Sequence, residues 1–184
     1  MKKVPTIFER DWDGDRSRVL DIPNPDCNWV FSGLGIATRK IDGTSCLVRN
    51  GRLFKRRELR KGGIPPDDFE TVGYDQETGK TVGWMPVDDG PDDARHREAF
   101  VPDLADGTYE LVGPKVQGNP EGYLAHTLVA HSGLTLEEQP PRTFAGLKAW
   151  LAGRDIEGVV WHCPDGRMAK IKLRDFGLTR PHRE

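Results

Sequence analysis

Apolar positions in this chain fall in short runs separated by glycine, proline and aspartate, the punctuation of strands and turns rather than of long helices. Gly35-Ile36-Ala37-Thr38 and Ser45-Cys46-Leu47-Val48 read as strands. Asn50-Gly51, between the second run and Leu53-Phe54-Lys55-Arg56, predicts a hairpin turn. Thr81 to Val87, Gly107 to Val112 and Tyr123 to His131 add further strands, while residues 60–80, rich in Gly, Pro and Asp, read as a surface excursion. Two segments carry helix signals. Pro91 to Phe100 opens on acidic residues, and Thr143 is placed to N-cap a helix that reaches Leu151 and is ended by Gly153. A last hairpin runs from Ile156 to Cys163, turns at Pro164-Asp165-Gly166 and returns from Arg167 to Leu173. Residues 1–33, with Pro23, Pro25 and several aspartates, read as an extended N-terminal arm. Antiparallel strands with two helices and no internal repeat predict an α+β fold in a single domain spanning 1–184.

At 184 residues the chain can bury one sizeable core. Its formal charge of −2 excludes a global basic field, so any polyanion must meet a local patch. No apolar run approaches the ~18 residues of a membrane span. The start, Met1-Lys2-Lys3-Val4-Pro5, is not followed by the apolar stretch of a signal peptide. Cys27, Cys46 and Cys163 are widely spaced and form no C-x-x-C pair, which argues against a zinc site or a disulfide framework and for a reducing, cytoplasmic setting.

Against this background a few charged residues stand where strands should be apolar. Lys40-Ile41-Asp42-Gly43-Thr44 sits between two strand-like runs, so a lysine is held by a tight Asp-Gly turn. Lys55-Arg56-Arg57 lies on the strand paired with the one after Lys40, and Glu110 and Glu157 interrupt Tyr109–Gly113 and Ile156–Val160. Lys170 and Lys172 share one face of the last strand by the alternation of side chains. Buried single charges are costly, so acids and bases inserted into apolar strands point to a shared, compensated site. Nucleotidyl transfer would use each of them. A lysine nucleophile must lose its proton, which neighbouring Lys170 and Lys172 and a metal ion favour. The same cations would stabilise charge on an α-phosphate. Glu157 would hold a hydrated Mg²⁺, Glu110 would accept from ribose hydroxyls, and Val159 or Val160 would form an apolar floor for adenine. The bland alternatives are a surface lysine in a turn, structural salt bridges at Glu110 and Glu157, and a solvated strand face at Lys170 and Lys172. The Arg56-Arg57-Arg60-Lys61 cluster reads equally as a phosphate patch or a solvated loop. His126, His131 and His162 read as packed or hydrogen-bonded rather than as ligands, and Trp84, Trp150 and Trp161 as core.

In order, K-x-D-G (Lys40–Gly43), Arg56, E-L-x-G (Glu110–Gly113), E-G-V-V (Glu157–Val160) and K-x-K (Lys170–Lys172) resemble the covalent nucleotidyltransferases: DNA ligases, RNA ligases and mRNA capping enzymes. Gly83-Trp84-Met85-Pro86-Val87, Gly118-Asn119-Pro120 and Ile156 to Cys163 look like the vertebrate-type ATP-dependent 5′-to-3′ RNA ligases. The resemblance implies a core of two packed antiparallel sheets with flanking helices and an ATP pocket between them. The sequence departs from DNA ligases and capping enzymes in leaving no residues after Glu184 for the OB-fold they append, so a core domain alone is the expectation. It implies that Lys40 is adenylylated, that Lys170 and Lys172 assist, and that Arg39, Ile41, Gly43, Arg56, Glu110, Glu157 and Val159 bind the nucleotide. By the same likeness Glu157 contacts Mg²⁺ (Mn²⁺ as substitute). Arg57 is the expected RNA contact in the local phosphate patch that the net charge calls for, and no aromatic stands at a clearly matched position to stack on adenine, Tyr123 being the candidate. The implied substrates are ATP and RNA with 5′-phosphate and 3′-hydroxyl ends, with no membrane and no obligate protein partner. A GTP-using capping enzyme, a minimal DNA ligase and a non-catalytic nucleotide- or RNA-binding module of the same fold are the alternatives.

Overall fold

The computed structural model describes residues 3–76 and 78–181. In chain order the elements are β1 (Phe8–Arg10), β2 (Val19–Pro23), α1 (Asn28–Phe31), β3 (Ile36–Lys40), β4 (Thr44–Arg49), β5 (Arg52–Leu59), β6 (Glu70–Asp75), β7 (Lys80–Pro86), α2 (Ala94–Ala99), β8 (Gly107–Val112), β9 (Thr127–Ala130), α3 (Phe144–Leu151), β10 (Gly158–His162) and β11 (Met168–Lys172). The class is α+β, with short helices and antiparallel sheets of six, three and two strands. No helix among the described residues is long and apolar enough to cross a membrane. The chain divides into two compact units: Asp42–Gly133 forms the body of one, and Val4–Ile41 with the chain from Leu134 onward forms the other.

The first unit holds the six-stranded sheet, ordered β6-β7-β5-β4-β8-β9. Cys46, Val48, Leu53, Tyr109, Leu111 and Leu128 lie on one face and pack with Ala99 of α2 and Val116. Lys55 belongs to this architecture: its Nζ donates to the buried Asp93 Oδ2 at 2.5 Å, tying the start of α2 to the sheet. Residues 60–80 are not all loop. Glu70–Asp75 forms the edge strand β6, bulged between Thr71 and Gly73, and the bulge breaks the alternation that would announce it. Conversely, Tyr123 to His131 is strand only at Thr127–Ala130. Asn119 explains the start of the segment, since its side chain accepts from the Tyr123 amide (3.1 Å) and donates to the Tyr123 carbonyl (2.9 Å), which closes a loop there.

The second unit holds β11-β10-β3 and the β1-β2 ribbon. Val159, Trp161, Ala169 and Ile171 face a core completed by Leu147 and Leu151 of α3. Thr143 caps that helix as expected, its Oγ1 accepting from the Gly146 amide. Within the segment 1–33, read above as an extended arm, the described residues from 3 onward carry β1, β2 and α1. Ile7, Phe8, Cys27 and Val30 are buried in this core, and Phe8 meets Phe31, Phe144 and Phe176 edge-on or tilted. Pro25 opens a 3₁₀ turn capped by Asn24, so the prolines mark boundaries rather than lack of structure. The three cysteines are free and buried, and burial pushes the Cys27 and Cys46 thiols up to about 11 and about 12.

Candidate active site

In the second unit, strand register sets the geometry. Gly158 of β10 pairs with Lys40 at the end of β3 on one side and with Lys172 at the end of β11 on the other. The glycine permits this spacing: a Cβ there would meet the Ile171 carbonyl at 2.1 Å and Lys172 Cα at 2.8 Å. Glu157, the residue before it, bridges the two lysines. Its Oε2 accepts from Lys40 Nζ and its Oε1 from Lys172 Nζ, each at 2.5 Å. Burial opposes ionisation of this carboxyl, but the two ammonium groups outweigh it and hold Glu157 below the usual glutamate range. Lys172 is pinned through its main chain, where its amide donates to the buried Asp175 Oδ2 at 2.8 Å, and Asp175 in turn accepts from Arg10.

Lys170 stands two residues before Lys172 on the same strand face, opposite Val160. Burial, then repulsion from Lys172 and Lys40, lowers its ammonium to about 8. One carboxylate therefore sits among three lysines, two of which it pairs with, while Lys170 makes no carboxylate ion pair among the described residues.

Alternation also corrects one expectation. Val159 points to the opposite face, is 0% exposed and belongs to the core, so it cannot form a floor for a base. Val160 shares the lysine face instead. Arg39, beside Lys40, likewise alternates away from it, and its Nη2 donates to the Asp155 carbonyl at 3.3 Å. Ile41 is buried.

The first unit carries the other group of expected residues. Gly43 needs no left-handed backbone; its role is close approach. A Cβ would meet the Leu111 carbonyl at 2.2 Å and Glu110 Cγ at 2.9 Å, so the turn after Lys40 is seated on β8 beside Glu110. The Asp42 amide donates to Oε1 of the buried Glu121 at 3.1 Å. Glu110 pairs in register with Ser45, and because Lys55 pairs with Cys46, Arg56 falls on the same face as Ser45 and Glu110. Arg57 takes the other face and is exposed. Glu110 Oε2 lies 2.9 Å from His131 Nε2, whose Nδ1 lies 3.0 Å from Thr108 Oγ1. Tyr123 belongs to the Asn119 turn described above.

The basic run Lys55-Arg56-Arg57 thus separates into a structural tether and two arginines on opposite faces. Sequence reasoning missed Glu121 and gave His131 no specific partner. The spacing Thr127, Val129, His131 offered a signal for the latter, because alternation carries it to the face of Glu110. No cluster of three or more His, Cys, Asp or Glu side chains among the described residues could cage a metal ion. Glu157 offers an ionised oxygen donor, and a single carboxylate completed by phosphate oxygens and water is the way Mg²⁺ usually binds beside a nucleotide.

The sequence model for RNA ligase 1 matches residues 89–184, just over half of the chain. The chain belongs to the RNA ligase 1 family. RNA ligase 1 of Danio rerio is 32% identical, aligning over 79% of this chain and 68% of its own length. RNA ligase 1 of Rattus norvegicus is 30% identical over the same shares, 79% and 68%. That of Pongo abelii is 30% identical over 64% of this chain and 48% of its own length. The matched segment of this RNA ligase 1 family member includes Glu110, His131, Glu157, Lys170 and Lys172, whereas Lys40 precedes it.

Proposed function

We propose that this chain is an ATP-dependent RNA ligase that joins 5′-phosphate to 3′-hydroxyl ends through a lysyl-AMP intermediate. Family membership supports RNA ligation, and the observation that carries the chemistry is the Lys40–Glu157–Lys172 bridge with Lys170 beside it. Lys40 Nζ attacks the α-phosphorus of ATP, an N–P bond forms, and the bond to pyrophosphate breaks. The proton leaving Nζ passes by way of Glu157 Oε2, its hydrogen-bond acceptor at 2.5 Å, to solvent, so Glu157 is again ionised once the bond has formed. The phosphoramidate nitrogen carries no positive charge, so Glu157 loses one of its two partners and keeps Lys172. Lys170 places positive charge where the α-phosphate gains negative charge. Next an oxygen of the RNA 5′-phosphate attacks the AMP phosphorus, the N–P bond breaks and Lys40 regains its proton; the 3′-hydroxyl then attacks the phosphorus of the RNA 5′-phosphate, loses its proton to solvent and expels AMP. Glu157 would hold Mg²⁺, whose charge would offset that of the phosphates when it is bound. On the first unit, Glu110 would accept from a ribose hydroxyl and Arg56 would meet phosphate.

Labelling with ATP or GTP, read by intact mass, tests the first step. A gain of AMP from ATP alone supports the reading, a gain of GMP moves it to a capping enzyme, and no gain makes the chain a binding module. Ligation of matched all-RNA, all-DNA and mixed substrates tests the rest. Pre-adenylylated RNA should be sealed without ATP. Ribose at the 3′-hydroxyl end should be demanded, since the 2′-hydroxyl is what distinguishes the two polymers. Equal sealing of an all-DNA nick would sink the RNA assignment.

A further inference from the structure

Glu110 is 9% exposed on a strand whose flanking residues are apolar, and a carboxylate in that setting needs a partner to hold one rotamer. Arg56 falls on its sheet face, yet the hydrogen bond to Glu110 comes from His131, with Nε2 at 2.9 Å from Oε2. An ionised carboxylate only accepts, so Nε2 is the donor in this pair. The second ring nitrogen is used as well, since Nδ1 meets the Thr108 hydroxyl at 3.0 Å. Thr108 and Glu110 are alternate residues of β8, so the imidazole spans two side chains of one strand and is fixed at both ends. Oε2 is thereby committed, while Oε1 accepts no hydrogen bond from the described residues. Next to it, Ser45, the register partner of Glu110, has a buried hydroxyl with no hydrogen-bond partner among the described residues.

We infer that His131 is the positioning residue for ribose recognition: it locks Glu110 through Oε2 so that Oε1 is presented to a ribose hydroxyl of the nucleotide. The inference rests on the reading of Glu110 as the ribose contact. His131 itself touches neither nucleotide nor phosphate; it fixes the angle at which the carboxylate accepts. Its contribution is therefore selectivity for a nucleotide bearing both hydroxyls, not the rate of chemistry on a nucleotide that lacks the recognised one.

The test compares initial rates of nucleotidylation of the chain at sub-saturating ATP, 2′-deoxy-ATP and 3′-deoxy-ATP, read by intact mass. His131→Phe keeps a ring without a donor, His131→Gln keeps a donor, Thr108→Val removes the second tether, and Glu110→Ala is the reference. The wild type should prefer ATP over at least one deoxynucleotide. His131→Phe should reduce that preference roughly tenfold, the scale of a lost hydrogen bond to a charged group, while the rate with that deoxynucleotide stays within about twofold. His131→Gln should restore most of the preference, and Thr108→Val should lose about threefold. Wild-type preference in His131→Phe alongside lost preference in Glu110→Ala would overturn the role of His131 alone. Intact preference in Glu110→Ala would overturn the ribose reading of Glu110 itself. An equal fall on all three nucleotides in both His131 variants would mark a purely structural residue and overturn the inference too.

Discussion

Glu157 and Glu110 are both carboxylates set against apolar strands, yet the two units compensate them differently. Glu157 is held by two ammonium groups, one on each neighbouring strand, with a third lysine close enough to be partly discharged. Glu110 is held by one imidazole hydrogen bond, itself anchored to a hydroxyl on the same strand. The contrast matches what each group is asked to do in the proposed reaction. Adenylylation removes the charge on Lys40, so its carboxylate partner needs a second cation that stays, and Lys172 is that cation. Recognition of a ribose changes no charge, so Glu110 needs a fixed orientation rather than redundancy. Charge that varies during a reaction calls for a network, whereas charge that only recognises calls for a brace.

The comparison breaks most simply at the nucleophile. Lys40→Ala and Lys40→Arg should both abolish the gain of AMP by intact mass, the first because the amine is gone and the second because guanidinium stays protonated. Thermal unfolding should show Lys40→Arg close to the wild type, since an arginine keeps the pairing with Glu157. AMP loading of either variant at the wild-type level would remove Lys40 from its role.

Removing the shared carboxylate comes next. Glu157→Ala leaves two ammonium groups facing each other across Gly158 with no anion between them. We expect a loss of about 3–5 kcal/mol in unfolding free energy, as for breaking a buried ion pair, together with a fall of roughly a hundredfold or more in AMP loading. Glu110→Ala should lose less stability, because it strands an imidazole and not a pair of cations. Denaturant melts of the two variants compare them directly, and equal losses would mean that the two carboxylates are braced alike.

These contrasts were only partly legible in the sequence. The acids and lysines of the second unit announce themselves by interrupting apolar strands, and period-two alternation correctly placed Lys170 and Lys172 together. Alternation also shows why Val159 misled: E-G-V-V offers two valines, and only register against β3 and β11 reveals that the first faces the core and the second the lysines. The N-terminal residues were misread because turn-forming prolines and aspartates obscured Ile7, Phe8 and Val30, whose burial depends on partners far along the chain, among them Phe144 and Phe176. Lys55 stands in the basic run Lys55-Arg56-Arg57, and nothing in that run announces that Asp93, distant in sequence, claims it. Local pattern reports which side chains share a face; it does not report which strand lies alongside.

A smaller effect should appear with pH. Lys170 is lowered from 10.5 to about 8, so its charge is lost as pH rises through about 8. If that charge assists attack on the α-phosphate, kcat/KM for ATP, which reports the free enzyme, should fall above about pH 8. Lys170→Arg should remove that falling limb, because guanidinium does not titrate there. The stability contribution runs the other way. Between about 8 and 10.5 the unfolded chain binds the proton more tightly than the folded one, so stability from this group rises with pH over the window in which activity falls. Activity and stability that decline together above pH 8 would take Lys170 out of the catalytic cluster.

The smallest expected effect sharpens the comparison within the first unit. Arg56 and Arg57 are neighbours on β5, yet strand alternation puts Arg56 on the face of Glu110 and Arg57 on the opposite face, exposed. If the nucleotide is recognised on the Glu110 face, Arg56→Ala should slow AMP loading and joining alike. Arg57→Ala should leave AMP loading within about twofold and act only on RNA, as a solvent-exposed phosphate contact does. Such a contact weakens binding evenly across sequences and reduces the dependence of log K on log salt by about one unit. Sealing of pre-adenylylated RNA by wild type and Arg57→Ala across a salt series measures this, because that reaction bypasses ATP. An unchanged salt slope in Arg57→Ala would make this arginine an ordinary solvated residue. A large loss of AMP loading in the same variant would mean that the nucleotide is not recognised on the face of Glu110 and His131, and the division of labour drawn between the two carboxylates would have to be redrawn.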